Sequence, residues 1–77
     1  MDRWEYGVLF CFASAVAVEQ SIKWRGPDDE VVEFPFVSRP KALNDLGRVG
    51  WELVSTNVIA LGGSRTETHC FLKRRMA

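Results

Sequence analysis

The sequence predicts a single small α+β domain over residues 1–77. It should be a two-layer fold, an antiparallel β-sheet with one α-helix on one face, in the order β-β-(β)-α-β-β. Three observations predict it. Ser38 to Val54 reads as a helix, its stop and the start of a strand. The run from Trp4 alternates with a period of two. Gly26-Pro27-Asp28-Asp29 and Gly62-Gly63-Ser64 are turn signals between strand-like runs.

In the first strand the even positions are Trp4, Tyr6, Val8, Phe10 and Phe12, and the odd ones are Glu5, Gly7, Leu9, Cys11 and Ala13. The even face, rich in large apolar side chains, is expected to be core. The odd face is also apolar at Leu9, Cys11 and Ala13, so it is expected to meet a partner chain. A turn near Ala13–Ala15 leads to a second strand with Val16, Val18, Gln20, Ile22 and Trp24 in phase. Ala17 joins the expected interface from the other side of that strand. After the Gly26–Asp29 turn, Val31 to Phe34 allow a short third strand, which Pro35 confines to an edge or ends. Phe34 and Phe36 are expected to pin the following loop to the core.

Ser38 can cap a helix, and Pro40 suits a first turn, where its missing N–H costs nothing. Ala42, Leu43, Leu46 and Val49 recur at helical spacing and form the apolar stripe. Gly50 is placed to take the left-handed conformation that ends a helix, with Trp51 folding back near Leu46. Gly47 inside the helix costs about 1 kcal/mol relative to Ala, which predicts a close approach of helix to sheet. From Trp51 to Leu61 the apolar residues change parity, so a bulge is expected around Ser55–Asn57. Thr66 to Lys73 is the returning strand, and Lys73-Arg74-Arg75 reads as a solvated tail. No internal repeat, linker or second domain is visible.

Ten basic and ten acidic residues give zero formal net charge, which argues against bulk nucleic-acid binding. A hydrophobic fraction of 47% is ordinary, but so small a domain has little interior to hide it, and self-association is the simplest outlet. The apolar run from Val8 to Val18 is too short to span a bilayer, and the acidic residues Asp2 and Glu5 before it do not suit a secretory signal. No membrane partner is expected. Cys11 and Cys70 each fall within a strand and suit small core or interface positions in a reducing, cytoplasmic compartment rather than a disulfide framework.

Three segments look familiar together: Trp4-Glu5-Tyr6, Leu43-Asn44-Asp45-Leu46-Gly47-Arg48-Val49-Gly50-Trp51-Glu52-Leu53-Val54, and Phe71-Leu72-Lys73-Arg74. They resemble the short prokaryotic and phage proteins grouped as domain-of-unknown-function family 4177. The likeness spans most of the chain, with a longer insert from Ala13 to Asp29. It implies a small α+β fold and brings no catalytic residues. By analogy of fold alone it suggests a phage protein that sequesters nucleotide-derived signals in the host cytoplasm.

The residues themselves show no catalytic constellation. His69 is the single histidine, and its neighbour Cys70 points to the opposite face, so the pair cannot act as base and nucleophile. No set of metal donors has workable spacing, and no cofactor is expected. The acidic cluster Asp28, Asp29, Glu30 and Glu33 could hold a cation, but reads as a solvated turn. Gly62-Gly63-Ser64 lacks the following helix that a phosphate loop requires. The set with the most chemistry is Trp24, Arg25, Arg48 and Arg65. An indole face can stack a base, and guanidinium groups can hold phosphate. The blander alternative is a core Trp24 with solvated arginines.

The leading expectation is therefore a non-enzymatic homo-oligomer, joined through Leu9, Cys11, Ala13 and Ala17. It would hold a small anionic nucleotide-type ligand by Trp24, Arg25, Arg48 and Arg65 near the subunit boundary. The alternative is a protein-interaction or assembly module without a small-molecule ligand.

Overall fold

The structure is a computed structural model that describes residues 3–14, 19–34 and 38–76. Its elements are β1 (Trp4–Ser14), β2 (Glu19–Arg25), β3 (Val31–Glu33), α1 (Arg39–Arg48), β4 (Glu52–Gly62) and β5 (Arg65–Arg75). The strands form one sheet in the order β3-β2-β1-β5-β4, and neighbouring strands run antiparallel. No helix among the described residues is long and apolar enough to cross a membrane.

The helix is built by local rules. The Ser38 hydroxyl accepts a bond from the Lys41 N–H at 3.3 Å, and proline sits in the first turn. At the other end the N–H groups of Gly50 and Trp51 donate to the carbonyls of Gly47 and Leu46, at 3.0 and 3.1 Å. Gly50 has a φ of 96°. This pair of bonds is a Schellman stop. It delivers Trp51, buried, into the core beside Leu46.

Two details of the expected helix differ. Val49 is the C-cap, outside the helical turns, and it faces solvent instead of continuing the apolar stripe. Gly47 has open space where a side chain would stand, so no close approach to the sheet explains it.

The faces of β1 are the reverse of the expectation. Leu9 and Cys11 are buried with Ile22, Trp24, Cys70 and Leu72 beneath Ala42 and Leu46 of α1. The register sets this arrangement: Leu9 lies between Trp24 and Cys70, and Cys11 between Ile22 and Thr68. Both phases of the strand are apolar, and a single helix covers only one of them. The odd phase carries the smaller set, with Gly7 and Cys11, and leaves room for Trp24 and the helix. The even phase carries rings at Trp4, Tyr6, Phe10 and Phe12 and remains open.

The remaining elements follow the turn chemistry. The Gly26 N–H donates to the Glu30 carbonyl at 3.0 Å, and the Asp29 N–H to Gly26 at 3.1 Å, closing the reversal into the edge strand β3. Phe34 is half-buried against the core, whereas Phe36 lies outside the described residues, as do Ala15 to Val18. The parity change in β4 is a register shift between Leu53 and Ser55, slightly earlier than the expected bulge. Gly63, with φ 60°, is the first residue of the two-residue loop between Gly62 and Arg65, where a tight hairpin favours glycine.

The C-terminal basic run is structural. Strand β5 continues to Arg75. The Arg74 Nε donates to Glu5 Oε1 at 2.6 Å, and its Nη1 donates to the Val49 carbonyl at 3.2 Å. Its guanidinium lies 4.6 Å from the centre of the Trp51 ring. Arg74 thus fastens the end of α1 to the sheet.

Candidate binding face

The four residues expected to make a ligand pocket are not brought together. Trp24 is buried, edge-on to Trp51 with ring centres 4.8 Å apart. Arg25, the next residue, points to the opposite face of the sheet, where its guanidinium lies 5.9 Å from the centre of the Phe10 ring. Arg48 donates to Asp45 on its own helix at 2.6 Å. Arg65 pairs with Ser14 and Gly62 beside the β4–β5 turn. It is about 30 Å along β5 from Arg74, which marks the helix end. The expected interface fares similarly: Leu9 and Cys11 are core, Ala13 is half-buried, and Ala17 is outside the described residues.

What the fold assembles instead is the uncovered face of the sheet. Strand alternation and register place Tyr6, Val8, Phe10 and Phe12 of β1 there, flanked by Phe71 and His69 of β5 and by Lys23 and Arg25 of β2. One shallow depression of about 350 Å³ is lined by Phe10, Phe12, Ser21, Lys23 and Glu67. A second, of about 260 Å³, lies beside Tyr6, Val8, Arg25, Phe71 and the Gly26–Asp29 turn. Both lie along β1 on the side away from α1.

The charges on this face differ in their partners. Lys23 faces Glu33 at 3.7 Å, and His69 bonds Glu67 at 2.8 Å while its ring meets Phe10 edge-on. Lys73 and Arg25 are different. The Lys73 ammonium lies 4.2 Å from the centre of the Trp4 ring, and Arg25 lies over Phe10. Among the described residues neither has a carboxylate within ion-pair distance. Their strands flank β1, and the rings they reach, Trp4 and Phe10, are six residues apart on it, about 20 Å along the strand. Tyr6, 63% exposed, lies between them beside the exposed ring of Phe71. This arrangement offers ring faces and edges for a planar group and, at two separate positions, a cation for an anion.

Other candidates have no chemistry to offer. The Cys11 thiol is pushed above its ordinary range by burial first and by neighbouring Cys70 second, although Arg39 opposes the shift. It is a neutral core thiol. Among the described residues no three His, Cys, Asp or Glu side chains gather as a metal site. Asp28, Asp29 and Glu30 are exposed on their turn.

Sequence reasoning identified Arg25 but missed Lys73, Tyr6 and Phe71. The repeating aromatic phase of β1 was the available signal, and it was assigned to the wrong side. No family model, no curated protein and no solved structure matches this chain.

Proposed function

We propose that this is a non-enzymatic, self-associating binding protein. It holds a small anionic ligand of nucleotide type on the open face of a two-layer α+β frame. The observation that carries this reading is that Arg25 and Lys73 sit over rings and, among the described residues, have no carboxylate within ion-pair distance. A base or similar planar group stacks on the exposed aromatic surface while its phosphate meets one of the two cations. No family model matches the chain, so the sequestering role in the cytoplasm is carried only by an analogy of fold drawn from the sequence resemblance of the Leu43–Val54 block.

Titration calorimetry against cyclic and linear nucleotides tests the reading. Of Arg25→Ala and Lys73→Ala, the one that removes the cation at the phosphate is expected to weaken binding about tenfold or more, equivalent to about 1.4 kcal/mol. Failure of the wild-type protein to bind any member of the panel would end the ligand reading.

A second reading, an assembly module without a small molecule, is favoured by the exposure of apolar residues along β4. Native mass spectrometry of protein purified from cells separates the two. A dissociable metabolite supports the first, whereas a stoichiometric protein without a metabolite supports the second.

A further inference from the structure

We propose that two copies of this chain join edge to edge through β4, antiparallel about a two-fold axis across Ser55–Ala60, into one continuous ten-stranded sheet. This gives a location to the self-association proposed above and is independent of the ligand reading.

The two edges of the sheet are built differently. The β3 edge is three residues long, carries Glu33 paired to Lys23, and is soon followed by Pro35 in sequence. Shortness, charge and proline are the usual devices that keep an edge from pairing. The β4 edge is eleven residues long and, from Leu53 to Gly62, contains no charged residue and no proline. Alternate residues of a strand aim their N–H and C=O outward, so this edge offers a long row of backbone groups that pair with no other strand among the described residues. Register shifts at its two ends leave Ser55 to Ala60 regular between them.

Its side chains point the same way. Val58 is 68% exposed and Ile59 42% exposed, and they project to opposite faces of the sheet. The ten-residue helix spans about 15 Å, whereas β4 spans about 36 Å. The far half of the β4–β5 hairpin therefore extends beyond the helix. The molecule is correspondingly elongated, 47 Å by 22 Å by 20 Å.

A second copy is the occupant that fits. The segment is uncharged, so pairing with itself brings no like charges together. The contact is isologous and therefore closes at two copies, and the blunted β3 edge does not extend it into a fibre.

Sedimentation equilibrium from micromolar to near-millimolar concentration tests the proposal. The wild-type chain is expected at about twice 8.7 kDa. The double variant Val58→Lys/Ile59→Lys, altered at two exposed side chains, is expected at the monomer mass with an unchanged far-UV spectrum and dimerisation at least about 100-fold weaker. Amide exchange provides a second measurement without substitution: Ser55 to Ala60 should gain protection as concentration rises. A monomeric wild type throughout would overturn both self-association and this interface. A dimer that survives the double substitution, with no added protection at residues 55–60, would overturn the β4 interface alone. Loss of that dimer in Phe10→Asp would then place it on the open face.

Discussion

The indole of Trp24 lies across Gly7 on the neighbouring strand, so that a methyl group added at Gly7 would fall inside the ring. Trp24 in turn meets Trp51 edge-on, and Trp51 lies under Arg74, which is bonded to Glu5. The absent side chain at Gly7 therefore makes room for the indole that connects sheet and helix end. Gly7→Ala is expected to destabilise the fold by about 1–3 kcal/mol, the usual result of overfilling a core. Urea unfolding followed by tryptophan fluorescence measures it, and a change within experimental error would show that the indole moves aside freely.

Two glycines near the end of α1 should respond in opposite directions. Gly50 holds a φ of 96°, and a side chain there would press on Arg74, so Gly50→Ala should cost about 1–2 kcal/mol. Gly47 is helical and has nothing within contact distance of a new methyl group. Gly47→Ala should therefore stabilise by about 0.5–1 kcal/mol. Thermal unfolding of the two variants beside the parent gives both signs in one experiment.

Cys11 and Cys70 should be inert in the native state. Both are buried, and burial followed by the proximity of Cys70 holds the Cys11 thiol above its ordinary range, which leaves little thiolate to react. Labelling by a soluble thiol reagent at neutral pH should follow the rate of unfolding or opening. Both sites should label rapidly in denaturant. Rapid native labelling of Cys11 would contradict its place beneath the helix.

Asp45 accepts from Lys41 at 2.9 Å and from Arg48 at 2.6 Å. Its pKa is lowered, first by the Lys41 hydrogen bond, which outweighs an opposing effect of desolvation, and then by the charges of Lys41 and Arg48. A carboxylate with a folded pKa below its unfolded value stabilises the fold above the unfolded value, about pH 4. That stabilisation disappears as pH falls through the folded value. Asp45→Asn should lower the melting temperature slightly at neutral pH, with the gap closing below about pH 4 and shrinking in high salt. A gap independent of both pH and salt would mean that the substitution acts through something other than charge.

The helix and its ends were legible because their causes are local. Ser38 reaches only to Lys41, and Gly50 and Trp51 bond back only as far as Gly47 and Leu46. The β4–β5 hairpin was legible for the same reason, with Gly63 at its turn. The candidate face was only partly legible. Arg25 was identified, but its neighbours Tyr6, Phe71 and Lys73 come from β1 and β5, and their meeting depends on a register that no short segment encodes.

Sequence by itself determined the antiparallel strands, the capped helix and the alternation along β1. Alternation states that two sets of side chains part company, and it does not state which set goes inside. Tertiary structure decided that, because one helix covers one face, and the smaller set containing Gly7 and Cys11 admits both Trp24 and α1. The rings of Tyr6, Phe10 and Phe12 were left outward with Arg25 and Lys73 for the same reason: volume beneath a helix is limited, and the indoles of Trp24 and Trp51 already fill it.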